Sequence, residues 1–156
     1  MGHIGNCPRF YSQSYKKLTP GGWIEVQDIG FPVQCDDDSV SKNSYLWQWS
    51  ENMMKATEAL GRNTRSAAEC KSQLLDAGFV HVTEKMYKWP TNKWPDDPKQ
   101  KEMGSLCHQN IAEHLSGLSM ALFTRGLGWT EWEVEAFLVE VRNDMKSMEI
   151  HAWWPM

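Results

Sequence analysis

Three titratable side chains occupy positions where the sequence pattern predicts acid–base chemistry. His108 is the polar member of an otherwise apolar stripe with helical spacing, and a neutral imidazole near pH 7 is a natural general acid or base. Asp28 ends a run of alternating apolar and polar residues, and sites in α/β folds form beyond the carboxyl ends of strands. His151 precedes two tryptophans and could close a pocket with them. These three are the catalytic candidates; a buried histidine, a turn-capping aspartate and a C-terminal packing cluster are the plainer alternatives.

Nucleophilic and metal chemistry find less support in the residue spacing. No Ser-His-Asp or Cys-His arrangement can be read from it, and the one His/Cys pair four residues apart, His3 and Cys7, lies in an unpatterned start. The carboxylates of Asp36–Asp38 lack the spaced ligands and the glycine of a calcium loop, so we predict a solvated turn. The Gly-Leu-Gly at Gly126–Gly128 follows a helix rather than a strand, which predicts a helix stop instead of a cofactor loop. We predict no bound metal ion.

Composition narrows the class of protein. The 156 residues carry a net charge of −4 without a basic cluster, so nucleic-acid binding has no electrostatic support. No apolar run reaches the roughly 18 residues that cross a membrane. Four cysteines without CxxC spacing predict reduced thiols in a cytoplasmic protein. Nine tryptophans and nine methionines indicate a core of bulky residues or, alternatively, a pocket or dimer face.

The candidate residues must be positioned by helices and a small amount of strand. A three-four spacing of apolar residues predicts helices, ended by glycines or by the Thr-Pro-Gly-Gly turn. The alternating segments predict two strands. The predicted helices are Phe10–Leu18, Tyr45–Leu60, Arg65–Ala77, Lys99–Thr124 and one that Thr130 and Glu133 begin as a capping box; the predicted strands are Trp23–Ile29 and Phe79–Trp89.

A family resemblance rests on short motifs in a fixed order. The turn Leu18–Gly22 leads into Trp23–Asp28, and later come Ala77–Val82, Trp94–Asp96 and Leu127–Thr130. In this order they resemble the C-terminal half of the fungal LaeA-like class I methyltransferases, which use S-adenosylmethionine (SAM). The likeness runs over most of the chain.

The resemblance implies a reduced version of the class I methyltransferase fold. These enzymes hold SAM with a Gly-rich loop after the first strand and an acidic residue after the second, and both precede the matched region. We therefore expect a single α+β domain, mostly helical, with four to five helices, a two-strand element and no bound cofactor. Unpaired strand edges are an aggregation hazard. We accordingly expect a homodimer, with exchange of elements between the two chains as one form of it.

The resemblance also implies where a substrate would lie. In the parent fold a lid over the substrate is made by the regions of Tyr45–Leu60 and Lys99–Thr124, and the substrate is a small apolar or aromatic molecule. The residues that we expect to bind it are Glu25, Trp47, Met54, His114 and Trp153.

Three functions are compatible with the motifs and the family resemblance. The first is cofactor-independent cyclisation or isomerisation, including a pericyclic step, of a natural-product intermediate in a methyltransferase-derived pocket. The second is SAM-dependent methyl transfer, with the SAM site completed by another chain or a missing segment. The third is a non-catalytic binding or partner protein. We favour the first.

Overall fold

The chain is helical around one small sheet. The structure, a computed structural model, describes residues 6–62 and 66–156, and for residue 66 only the backbone. Its helices are α1 (Cys7–Lys17), α2 (Tyr45–Ala59), α3 (Ser66–Asp76), α4 (Pro98–Glu113), α5 (Leu115–Leu122) and α6 (Glu131–Lys146), with a π-helical turn at Phe123–Leu127. Its strands are β1 (Gln34–Cys35), β2 (Lys88–Pro90) and β3 (Ala152–Pro155), in the antiparallel order β1-β3-β2.

Local capping explains where the helices begin. The side chain of Asn6 accepts from the backbone N–H of Arg9 at the start of α1, and Asp97 accepts from that of Gln100 at the start of α4. Thr130 and Glu133 form the predicted capping box of α6. The mostly helical α+β class and the existence of these helices are thus confirmed. Two details of the prediction, His3 and the start of a helix at Arg65, lie outside the described residues.

The prediction of one long helix over Lys99–Thr124 is wrong. At His114 the backbone leaves helical geometry, with φ −101° and ψ 9°, and this residue separates α4 from α5. The π-helical turn that follows brings Gly126 against α2, where an added Cβ would lie 2.6 Å from the carbonyl oxygen of Ala56. Close approach to α2 accounts for the wider turn. Gly128 then ends it in a left-handed conformation, which confirms the helix stop.

Of the two predicted strands, the first is wrong and the second is confirmed only at its end. Residues 23–29 form no strand and pair with none in the described chain, whereas Lys88 and Trp89 of the predicted Phe79–Trp89 enter the sheet. Alternation correctly marked the inward face, because Ile24 and Val26 pack on a small cluster formed by α1 and α3. It could not identify a pairing partner. The sheet has three strands rather than two, and the middle one comes from the C-terminal tryptophans.

The main core explains much of the tryptophan content. Trp49 and Trp154 are fully buried, with ring centroids 5.8 Å apart in an edge-to-face arrangement. The indole N–H of Trp49 donates to the hydroxyl of Ser119 at 2.7 Å. Helix α2 therefore contacts the sheet through aromatic side chains, and apolar residues of α5 and α6 belong to the same core. No helix among residues 6–62 and 66–156 is long and apolar enough to cross a bilayer.

Removal of the α6 cap should cost stability. We expect Thr130→Ala to lower the free energy of unfolding by about 1 kcal/mol, because the hydroxyl no longer satisfies the N–H of Glu133. Urea unfolding followed by circular dichroism measures this. Thr83→Ala, the same change at an exposed position, is the matched control.

The effect of this cap should also depend on pH. The backbone N–H and then the hydroxyl of Thr130 lower the pKa of Glu133, so its folded pKa lies below the unfolded value. Its contribution is therefore complete above the ordinary pKa of a glutamate and is lost as the pH falls through the lowered one. The difference between Thr130→Ala and the parent should shrink in acid. A constant difference would contradict the capping box.

The four cysteines are free thiols, and one of them is strongly protected. Burial raises the pKa of Cys107 to about 11. At pH 8 roughly one Cys107 thiol in a thousand is ionised, so iodoacetamide should leave it unmodified in the folded protein and label it in guanidinium. The raised pKa stabilises the fold below the ordinary thiol pKa, and this contribution disappears as the pH rises further. Mass spectrometry of the alkylated peptides checks this, and rapid labelling of native Cys107 would refute it.

Candidate functional site

A polar cluster forms where the start of β3 meets the turn after β1. Cys35 of β1 pairs with Ala152 of β3 in antiparallel register. The turn that follows Cys35 must therefore lie beside the residue that precedes Ala152, which is His151. This register brings Asp37 and His151, 114 positions apart in the chain, into direct contact.

An aspartate–histidine pair is the centre of this cluster. The Nδ1 atom of His151 forms a hydrogen bond with Oδ2 of Asp37. The other carboxylate oxygen accepts from the thiol of Cys35 at 3.0 Å and from the backbone N–H of Ser39 at 3.1 Å. The backbone N–H of His151 donates to the Ser39 hydroxyl at 2.8 Å. Asp37 is thus held by Cys35 and Ser39, and the backbone of His151 is held by Ser39.

The electrostatics of the cluster give each ring nitrogen a separate role. Hydrogen bonds from the Cys35 thiol, from His151 and from Ser39 hold the pKa of Asp37 well below its usual range. An ionised carboxylate only accepts, so Nδ1 of His151 must be the donor. The Nε2 atom then carries the lone pair of the neutral ring, and it has no hydrogen-bond partner within residues 6–62 and 66–156. This is the arrangement of a histidine that can take up or release a proton.

Trp94 lies against the imidazole ring. The ring centroids of Trp94 and His151 are 4.8 Å apart and the planes are inclined by 29°, a stacked geometry. On β2, the Nζ atom of Lys88 lies 2.6 Å from Oδ2 of Asp36 and 4.8 Å from the ring centroid of Trp153. The surface around the pair therefore combines aromatic faces with balanced charges.

The structure places the predicted catalytic residues in three different locations. His151 belongs to the cluster just described. Asp28 lies near the small cluster formed by α1 and α3, which contains Tyr11. Burial and the Cys70 thiol raise the pKa of Tyr11, and the charge of Asp28 raises it further. The expected position at the carboxyl end of a strand is wrong, since no strand forms there. His108 is half-buried on α4, and its Nδ1 is buried without a hydrogen-bond partner among the described residues.

The predicted substrate-binding residues are dispersed in the same way. Glu25 is exposed and accepts from the amide of Gln27 at 2.7 Å. His114 is exposed at the break between α4 and α5, and its Nδ1 lies 2.8 Å from the carbonyl oxygen of Asn110. Trp153 lies in β3, beside the polar cluster. These residues do not converge on one pocket.

The remaining two, Trp47 and Met54, are half-buried on α2. Trp47 borders a polar surface hollow of about 230 Å³ that Lys42 and Lys55 also line. A second hollow, of about 250 Å³, lies beside Leu18 and Trp23. Both are smaller than typical small-molecule pockets, and neither includes His151. A substrate at the aspartate–histidine pair would therefore lie on an open surface of this chain.

Sequence reasoning missed Asp37, Cys35, Ser39 and Trp94. Asp37 belongs to the acidic run that was interpreted as a solvated turn, and its side chain is indeed exposed by almost half. The missing information is long-range, because the partner of Asp37 is His151, which directly precedes β3. Within the part of the chain that the structure describes, no three His, Cys, Asp or Glu side chains form a metal-binding group.

The Gly-Leu-Gly at Gly126–Gly128 does not fit a SAM cradle. Such a cradle needs glycines that let a ligand approach the backbone after a strand. Here Gly126 faces the backbone of Ala56 across a helix contact, and Gly128 ends a helical turn. Gly126 therefore allows close packing on α2, and Gly128 allows the chain to change direction.

Comparisons with known proteins agree with the motifs. The chain is 34% identical over 149 residues to the probable methyltransferase tdiE of Emericella nidulans, covering 96% of this chain and 47% of that protein. It is also 34% identical to the methyltransferase pytC of Aspergillus terreus, with 97% and 47% covered. The chain is homologous to the fungal LaeA-like methyltransferases.

The relatives include proteins named as regulators. The secondary metabolism regulator LAE1 of Cochliobolus heterostrophus is 31% identical, with 97% of this chain and 50% of that protein covered. This LaeA-like homologue thus spans about half the length of the relatives it matches. No family model matches the chain, and no solved structure does. The relatives are methyltransferases or regulators of secondary metabolism, which confirms the resemblance that the motifs indicated.

Proposed function

We propose that this LaeA-like protein acts in fungal secondary metabolism on a small apolar or aromatic intermediate, with His151 and Asp37 as its acid–base pair. The reaction is a cofactor-independent cyclisation or isomerisation, including a pericyclic one. The observation that carries the proposal is the hydrogen bond between an ionised Asp37 and Nδ1 of His151, which leaves Nε2 directed away from the carboxylate.

The chemistry needs no external reagent. In an isomerisation, Nε2 of His151 removes a proton from one atom of the substrate, and Asp37 stabilises the imidazolium that forms. The same Nε2–H then returns the proton to another atom of the substrate. For a pericyclic step, the imidazolium form of His151, with a proton on each nitrogen, would donate a hydrogen bond from Nε2 to a carbonyl group of the substrate. The half-buried indole of Trp94, stacked on the imidazole, is a suitable neighbour for an apolar substrate.

A homodimer would supply the missing wall of the site. The pair lies on an open surface, and a reaction of this kind is assisted by exclusion of water. Trp23, Val80 and Met86 are large apolar side chains that are 85%, 76% and 69% exposed. These side chains form the interface that we propose. Sedimentation should give twice the 18.0 kDa of one chain, and a monomer at micromolar concentration would rule this interface out.

Replacement of the gene in the producing fungus tests the proposed reaction. Strains that carry His151→Asn or Asp37→Asn should accumulate the same intermediate as a deletion strain, detected by liquid chromatography and mass spectrometry. Asp38→Asn is the matched control, since Asp38 is an exposed neighbour at φ 60°, which asparagine adopts readily. Unchanged metabolite profiles in the two site variants would refute the acid–base role and favour a binding or partner protein.

Methyl transfer is the second candidate, and the printed names of the relatives favour it. The same histidine could remove a proton from a hydroxyl group that accepts the methyl group, with SAM held by another chain or by a segment outside these 156 residues. The metabolites of the fungal strains separate the two. A final product that carries one methyl group more than the intermediate accumulated by the Asp37→Asn strain would replace our proposal with this one.

A further inference from the structure

The indole of Trp94 is held more firmly than its half-exposed position suggests. Its Nε1–H donates to the backbone carbonyl of Ala152 at 2.9 Å, and its backbone N–H donates to Oδ1 of Asn92, also at 2.9 Å. The amide of Asn92, only 4% exposed, in turn donates to the carbonyl oxygens of Met145 and Ser147 at 3.0 and 2.8 Å. Trp94 is thereby attached to the C-terminal end of α6 and to β3.

The same strand region carries the histidine. Ala152, which accepts from the indole, directly follows His151, whose ring is stacked on that indole. His151 is consequently held at three places. Asp37 bonds its Nδ1, Ser39 accepts from its backbone N–H, and Trp94 covers one face of its ring. A ring with one covered face and one bonded nitrogen has a single direction left for Nε2.

We propose that Trp94 is the positioning residue of this site, which fixes the plane of the His151 ring so that Nδ1 stays on Asp37 and Nε2 faces the substrate. Its effect on turnover rests on the proposed function, whereas its effect on the ring does not. Without the stack, the imidazole can rotate about its side-chain bonds, and both tautomers become accessible. The described charged and titratable groups that face the ring are Asp37, bonded to it, and Cys35 on the far side of that carboxylate.

Nuclear magnetic resonance of the ¹⁵N-labelled chain tests the effect on the ring without any substrate. In the parent, the two imidazole nitrogens of His151 should report one tautomer, with a proton on Nδ1 that exchanges slowly with water. Trp94→Leu should give a mixture of tautomers and at least tenfold faster exchange of that proton. Trp132→Leu, the same change at a side chain that is 78% exposed, should leave both readouts unchanged.

A conservative variant keeps the test decisive if Trp94→Leu does not fold. Trp94→Phe retains an aromatic face but loses the N–H donor to Ala152, so the exchange rate should lie between those of the parent and the leucine variant. Parental tautomer and exchange rate in the folded variants would overturn the proposal. Once a substrate is known, the leucine variant should lose about tenfold in kcat with KM within twofold. A rise in KM alone would contradict positioning, and absence of turnover in the parent would count against the proposed function instead.

Discussion

His151→Asn should lower the turnover of the accumulated intermediate by a factor of about 10² to 10⁴, the usual contribution of a positioned acid–base group. Asparagine has a similar reach and keeps a donor, but it cannot exchange a proton at neutral pH. The matched control is His81→Asn, because His81 is exposed and lies at φ 56°, which asparagine adopts readily. The measurement is the rate of conversion by purified variants of equal thermal stability. Full activity of His151→Asn would exclude this residue from the chemistry.

Asp37→Asn should produce a loss of similar size for a different reason. The neutral amide no longer holds Nδ1–H as a carboxylate does, and the amide nitrogen can instead donate to the ring, which favours the wrong tautomer. The two losses should not add in the double variant, because both changes disable the same pair. Additive losses would mean that Asp37 acts independently of His151.

Gly104→Ala should be the most destabilising small substitution in the chain region that supports the site. A Cβ at this position on α4 would lie 1.9 Å from the carbonyl oxygen of Asn92 and 3.1 Å from Cβ of Pro90, so the helix must move away from β2. The cost of overpacking against a backbone is about 3 kcal/mol, which exceeds the gain of about 1 kcal/mol in helix propensity.

Gly117→Ala should change the free energy of unfolding in the opposite direction. Gly117 lies on α5 with open space around the added Cβ, so alanine should stabilise the protein by about 0.5 to 1 kcal/mol. Urea midpoints of the two variants measure the difference directly. Equal midpoints would show that α4 does not press on the segment that carries Asn92 and Trp94.

The helices could be predicted because their signals are local. Caps such as Thr130 with Glu133 and stops such as Gly128 act within one or two turns, so a short window of sequence contains the cause. The break at His114 was missed because the apolar stripe continues across it. The packing of Gly126 on α2, which shapes the π-helical turn nearby, is a tertiary contact that no window reveals.

The sheet and the site could be predicted only in part, because both depend on pairing at long range. His151 was identified as a candidate from its residue type and its aromatic neighbours. Asp37 became its partner only through the register of β1 on β3, and Trp94 through an indole bond to Ala152. Alternation in residues 23–29 indicated an inward face correctly, but an extended segment without a partner strand gives no sheet.

We propose that this LaeA-like chain converts an intermediate without a methyl donor. The most direct measurement adds the purified 156-residue protein, free of SAM, to the intermediate isolated from the Asp37→Asn strain and follows the product by mass spectrometry. We predict a product of unchanged mass, formed at the same rate with or without added SAM and absent with the His151→Asn protein. A product that forms only with SAM and is heavier by one methyl group would contradict the account.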